Sequence, residues 1–174
     1  MRILHTYKNT YGKLSQKYVI DNVREHDDSW CLIVLDACRY DIFKDVYENF
    51  LHGNLRPVEA EGYNTFDYIR LNWPDYYDDI TYVSAAAPIT SKDFDFNDPK
   101  DETASGLLMT GQDLRDKYMG YIPVEHIPNI VEVWRESWDE ELGVCPPEPV
   151  TETIQNIESE RCVAHFFQPH APYI

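Results

Sequence analysis

The sequence predicts an α/β fold with a mainly parallel sheet, in three α/β/α layers. Three observations carry that prediction. Compact apolar runs rich in branched residues recur at CLIVL (31–35), ITYVSA (80–85) and RCVAHFF (161–167). Runs of this kind mark strands buried on both faces of a parallel sheet. Segments with helical periodicity lie between them, and strand–helix alternation is the α/β signature. The length of 174 residues suits about one domain.

Residues 1–17 are polar and tyrosine-rich, and are expected to form an arm; Tyr18–Glu25 can make a short helix. Arm and helix together occupy 1–28, and the α/β domain runs over 29–174. Cys31–Leu35 is the first strand. Tyr40–Leu51 follows as a helix, with Ile42, Phe43, Val46, Tyr47, Phe50 and Leu51 at helical spacing, stopped by His52-Gly53-Asn54. Leu55–Ala60 is expected as a second strand. Asn64 can cap a helix over Thr65–Asn72, which Pro74 ends. Ile80–Ala85 is the next buried strand, and 88–120 reads mostly as loop. HIPNIVEVWRESWDEELG (126–143) has helical periodicity through Ile130, Val133 and Trp134. After CPPEP, a helix is expected from a Thr151 cap to Glu160. The last strand then leads into a loop rich in histidine and proline. No repeat, low-complexity tract or linker divides the chain.

Composition narrows the function. Hydrophobic content of 43% supports a core, and 14% aromatic residues argue against wholesale disorder. The formal net charge is −16, from 31 acids against 15 bases. That sign disfavours nucleic acids and anionic membranes, which need a basic footprint. Acids spread along the chain predict a solvated surface suited to high salt, and so a halophilic source. Cys31, Cys38, Cys145 and Cys162 make no CxxC pair and no zinc-knuckle spacing. Cys31 and Cys162 open apolar runs and read as buried small hydrophobes. Without a disulfide framework a reducing interior is the default. The N-terminus has no long apolar core of a signal peptide, and no stretch is long enough to span a bilayer. The expected location is therefore cytoplasmic.

In open α/β sheets, working residues sit just beyond the carboxyl ends of the strands. Asp36, Ser84, and the pair His165 and His170 fall there. A carboxylate at a strand end beside a helix N-terminus can hold a hard or borderline cation. Asp36 could equally cap the following helix or pair with Arg39. Cys38, beside Arg39, could be a low-pKa thiol, but no partner base is identifiable. Thr65, at a helix start, would have its hydroxyl near positive backbone dipoles, or would be an ordinary capping residue. HFFQPHAPY could hold a functional histidine pair or be a surface turn.

Taken together, these stretches resemble the sulfatase-like branch of the alkaline phosphatase superfamily. LIVLDACRYDIF is similar to that branch's opening metal-binding strand, and HFFQPHAPY to its PHxPY loop. DDITYVSAAAP resembles the strand after the nucleophile helix in archaeal members, and IPNIVEVWRESWDEELGVCPPEPVTE their insertion segment. The resemblance implies Asp36 as the first ligand of a divalent cation (zinc, manganese, magnesium or calcium). It implies Thr65, in GYNTFDYI, as the nucleophile. His170 would contact the anionic ester substrate, and His165 would support that pocket. The CxPxR signature of formylglycine sulfatases is absent, so a threonine nucleophile points to phosphoester cleavage or phosphoglycerol-type transfer. Surface glycan or lipid modification is the implied setting.

One departure from the pattern sets a further expectation. The family's later Asp-His motif has no counterpart, because the sequence contains no Asp-His dipeptide. The fold is therefore expected to be an incomplete alkaline phosphatase-like domain, lacking its C-terminal part. The chain is then a truncated enzyme, a half completed by a second polypeptide, or a non-catalytic remnant that keeps the fold as a binding module.

Overall fold

Four parallel strands form one sheet in the order β1-β4-β2-β3, in a computed structural model that describes residues 14–91 and 116–170. β1 is Trp30–Leu35, β2 Thr81–Ser84, β3 Ile130–Glu132 and β4 Arg161–Phe166. Every pairing is parallel: Leu32 lies opposite Val163, Ser84 opposite His165, and Val83 opposite Val131. The class is mixed α/β. Among the described strands the first pairs with the last, so β4 lies inside the sheet between β1 and β2, and β1 and β3 are its edges.

Alternation along the strands divides the core in two. Tyr82 and Val163 face a layer containing Ile20 of α1 (Gln16–Arg24) and Tyr68 and Ile69 of α3 (Thr65–Asn72), with Trp73, Tyr77 and Ile80. Trp30, Leu32 and Val34 pack against this layer from β1. Val83 and Ala164 face the other layer. There Val133 and Trp134 belong to α5 (Val133–Ser137), and Val150 and Ile154 to α6 (Pro147–Asn156). Helices on both faces are compatible with three α/β/α layers. α4 (Pro123–His126) is a single turn before β3.

Several expectations need correction. β1 is not buried on both faces: Cys31 is exposed and Ile33 is 54% exposed. It is an edge strand, and α6 covers β4 and β2 rather than β1. The Tyr40–Leu51 helix shrinks to α2 (Tyr40–Lys44) and a 3₁₀ turn at Tyr47–Asn49, and neither buries a residue. Helices this short draw their stability from packing, and this apolar stripe has little: Phe43 stacks on Tyr47, while Ile42, Val46, Phe50 and Leu51 are exposed.

Leu55–Ala60 is not a strand. Only Glu59 bridges, to Ser15, and Pro57 has no N–H to give a ladder. The helix read from 126 is broken, because Ile130–Glu132 pairs with β2. β-branched Ile130 and Val131 suit that edge, so pairing overrides the helical period. The last helix begins at Pro147 rather than after Thr151, whose hydroxyl donates to the Pro147 carbonyl. Proline is preorganised for a first turn, where its missing N–H costs nothing. Most of the 88–120 loop, residues 1–13 of the arm and residues 171–174 lie outside the described residues.

Candidate functional site

The parallel sheet brings the ends of β1 and β4 together, and α3 starts beside them. Asp36 follows β1 directly, and its N–H still bonds to the Phe166 carbonyl at 3.2 Å, extending the ladder by one step. Ala37 then turns the chain away with φ 55°, a left-handed conformation uncommon for a residue with a Cβ. Outliers of this kind persist where surrounding structure holds them, as at many functional sites.

The turn before α3 is built by side chains. Asn64 Oδ1 accepts from the Asp67 N–H at 2.9 Å, a proper N-cap. Asp67 reaches back to the Tyr63 N–H, and Arg70 Nη2 donates to its other oxygen at 3.0 Å. Gly62 has φ 93°, and a Cβ there would lie 2.4 Å from Asp67 Cβ. Glycine is therefore required twice over, by conformation and by space. The result fixes Thr65 as the first residue of the helix, and its Oγ1 donates to Asp36 Oδ2 at 3.2 Å.

A cleft of about 320 Å³ opens over this contact. Asp36, Thr65, His165 and His170 all line it, together with Cys38, Gly62, Tyr63, Asn64 and Tyr68. The structure thus brings all four sequence-predicted residues to one place. They are not equivalent there. His165 is 1% exposed, and its Nδ1 is 2.8 Å from the Tyr82 hydroxyl. Tyr68 meets its ring edge-on at 5.3 Å. Burial holds the imidazole down to about 4, although the Asp36 charge pulls the other way. His165 is therefore neutral at neutral pH and forms the cleft's inner wall. Burial likewise pushes Tyr68 up to about 12. His170 is exposed, with its ring against Phe167 at 4.9 Å and its N–H bonded to the Phe167 carbonyl.

The alternative roles can be compared with this geometry. Asp36 does not cap α2, whose N-cap position is Arg39. Arg39 makes a bidentate pair with Asp41 at 3.0 and 2.6 Å. Burial raises the Cys38 thiol, the opposite of what an activated nucleophile needs. Ser84 is fully buried outside the cleft, closing a local turn with Ala86. Sequence reasoning missed Tyr68 and Tyr82. Tyr68 stands three residues after Thr65, one helical turn on, and that spacing was the available signal for it. Tyr82 had no local signal, because it meets His165 only through strand pairing.

Among the described residues, no three His, Cys, Asp or Glu side chains could together hold a metal ion. One carboxylate and one hydroxyl fall short of a zinc or manganese site, which takes three or more protein ligands. No described helix is long and apolar enough to cross a membrane. No family model matches the chain, and neither does any curated protein or solved structure.

Proposed function

We propose that this cleft is the nucleophile side of a sulfatase-like hydrolase or transferase acting on phosphate or sulfate esters. The observation that carries the reading is the Thr65–Asp36 hydrogen bond at the first turn of α3. A carboxylate that accepts from a hydroxyl orients its lone pairs and can take its proton as attack begins. Thr65 Oγ1 attacks the phosphorus or sulfur in line and expels the ester's alcohol. Unpaired N–H groups at the start of α3 face the negative charge on the non-bridging oxygens. Water or an acceptor alcohol then releases the group from Thr65, and that choice separates hydrolase from transferase. His170, at the exposed rim, is the substrate contact in this reading, and neutral His165 shapes the inner wall.

The divalent cation belongs to the proposal with Asp36 as its ligand, and further ligands would come from outside the described residues. That short donor set favours a second reading, in which another polypeptide completes the site or the chain only binds anionic esters.

The test is turnover of p-nitrophenyl phosphate and p-nitrophenyl sulfate in concentrated salt, with each divalent cation supplied in turn. Thr65→Ala and Asp36→Ala should each lower turnover by at least about 10³-fold. Mass spectrometry should find the transferred group on Thr65. A wild-type chain that turns over neither ester sinks the enzyme reading for this chain and leaves the binding reading.

A further inference from the structure

Away from the cleft, at the opposite end of the same two strands, Cys31 stands directly opposite Cys162. Paired residues on neighbouring parallel strands project to the same face, so the two thiols are side by side. Neighbouring strands lie about 4.8 Å apart, within the Cα separation of about 4.4–6.8 Å that a disulfide spans. Their environments differ. Cys31 is exposed on the edge strand, on a face that no described helix covers there, whereas Cys162 is buried. The neighbouring Cys162 holds the Cys31 thiol down to about 7, while Cys162 itself is pushed up by Cys31 and by burial. An exposed, partly ionised thiol beside a buried one is the arrangement of an attacking and a resolving cysteine. The other two differ: burial raises Cys38 and pushes Cys145 up to about 11.

We propose that Cys31 and Cys162 form a reversible dithiol–disulfide site that reacts with low-molecular-weight disulfides of the glutathione kind. The Cys31 thiolate attacks one sulfur of the small disulfide, breaks its S–S bond and expels one thiolate. Cys162 gives up its proton and attacks the Cys31 sulfur of the mixed disulfide, expelling the second thiolate. Two protein thiols are oxidised to one disulfide, one external disulfide is reduced to two thiols, and both protons end on those thiols. The cross-link joins the first strand to the last. Parallel Cβ directions leave the two Cβ atoms about 4.8 Å apart, just past the usual range of about 3.5–4.5 Å, so closure needs a small backbone shift and the bond is readily reversed by reductant.

The experiment incubates the reduced full chain with oxidised glutathione, blocks remaining thiols by alkylation, and reads intact mass and peptide maps. The expected product has lost two hydrogens, links the Cys31 and Cys162 peptides, and carries alkyl groups on Cys38 and Cys145; dithiothreitol restores four free thiols. Cys162→Ser should stop at Cys31 joined to glutathione. A wild-type chain that accumulates that mixed disulfide overturns the proposal. So does one that links Cys38 or Cys145 instead, forms only intermolecular links, or stays fully alkylated.

Discussion

Residues 31–51 and 66–90 are both rich in aliphatic and aromatic side chains; most of these are buried in the second stretch and none fully in the first. In the second stretch Phe66, Ile69, Trp73, Tyr77, Ile80, Tyr82, Val83 and Ile89 are all buried. In the first, Ile33, Ile42, Val46, Phe50 and Leu51 are exposed, Phe50 to 82%. The difference lies in neighbours. β2 runs between β4 and β3, and α3 lies over its face, held at its start by the Asn64–Asp67 network. Among the described residues β1 has a strand on one side only, and α2 is a turn and a half whose Phe43 stacks only on Tyr47 of the following turn, with no residue of the helix buried. An apolar run in a sequence states a demand for cover; whether cover exists depends on topology.

The sharpest way to break this contrast is a pair of truncations. Trp73→Ala should cost about 3–5 kcal/mol, because Trp73 is fully buried against Tyr77 and Tyr82. Phe50→Ala should change stability by no more than about 0.5 kcal/mol. Urea unfolding in matched salt reads both. If Phe50→Ala costs as much as Trp73→Ala, the first stretch is covered in solution and the contrast disappears.

Next in size comes a pH effect that only the buried layer should show. His165 has its folded pKa lowered to about 4 from an ordinary 6.5. Its neutral form supports folding above pH 6.5. As pH falls below that value the unfolded chain takes up the proton first, so stability drops until about pH 4. The loss amounts to about 3 kcal/mol. Stability measured between pH 7 and 4 should fall more steeply in the wild type than in His165→Gln. Equal slopes would mean that the imidazole is not held neutral.

The smallest effect concerns the hinge between the two stretches. Asn64→Ala removes the α3 cap and should cost about 1 kcal/mol. If the cap also presents Thr65 to Asp36, the same change should lower any esterase activity more than the stability loss explains. Activity that tracks only the folded fraction would reduce Asn64 to a structural cap.

The same comparison explains what the sequence could and could not tell. Three of the strands and α3 with its Asn64 cap were legible, because their signals are local: branched apolar runs, a capping residue, a terminating proline. Asp36, His165 and His170 stood out because strand ends gather at one edge of a parallel sheet, and Thr65 because it starts a helix; all four line one cleft, but the same strand-end rule also picked Ser84, which is buried outside it. The exposure of Cys31 and Ile33 was not legible, since edge and centre strands of a parallel sheet share a composition. β3 was hidden for a related reason: Ile130 and Val131 fit a helical period as well as a strand, and only β2 decides between them. The Tyr82–His165 contact joins positions distant in sequence, so no spacing rule could reveal it.

The order β1-β4-β2-β3 also has a consequence for how the protein is made. Among the described strands, the first to leave the ribosome has a single partner, and that partner is the last. At ~5–20 residues per second, β1 waits on the order of ten seconds before β4 is synthesised. Through that interval the backbone edge that meets β4 is unpaired, although α1, α3, β2 and β3 can already have met. Nascent-chain survival therefore depends on whatever holds Trp30–Leu35 in solution during translation, and an acidic chain that repels its own copies is well suited to that wait.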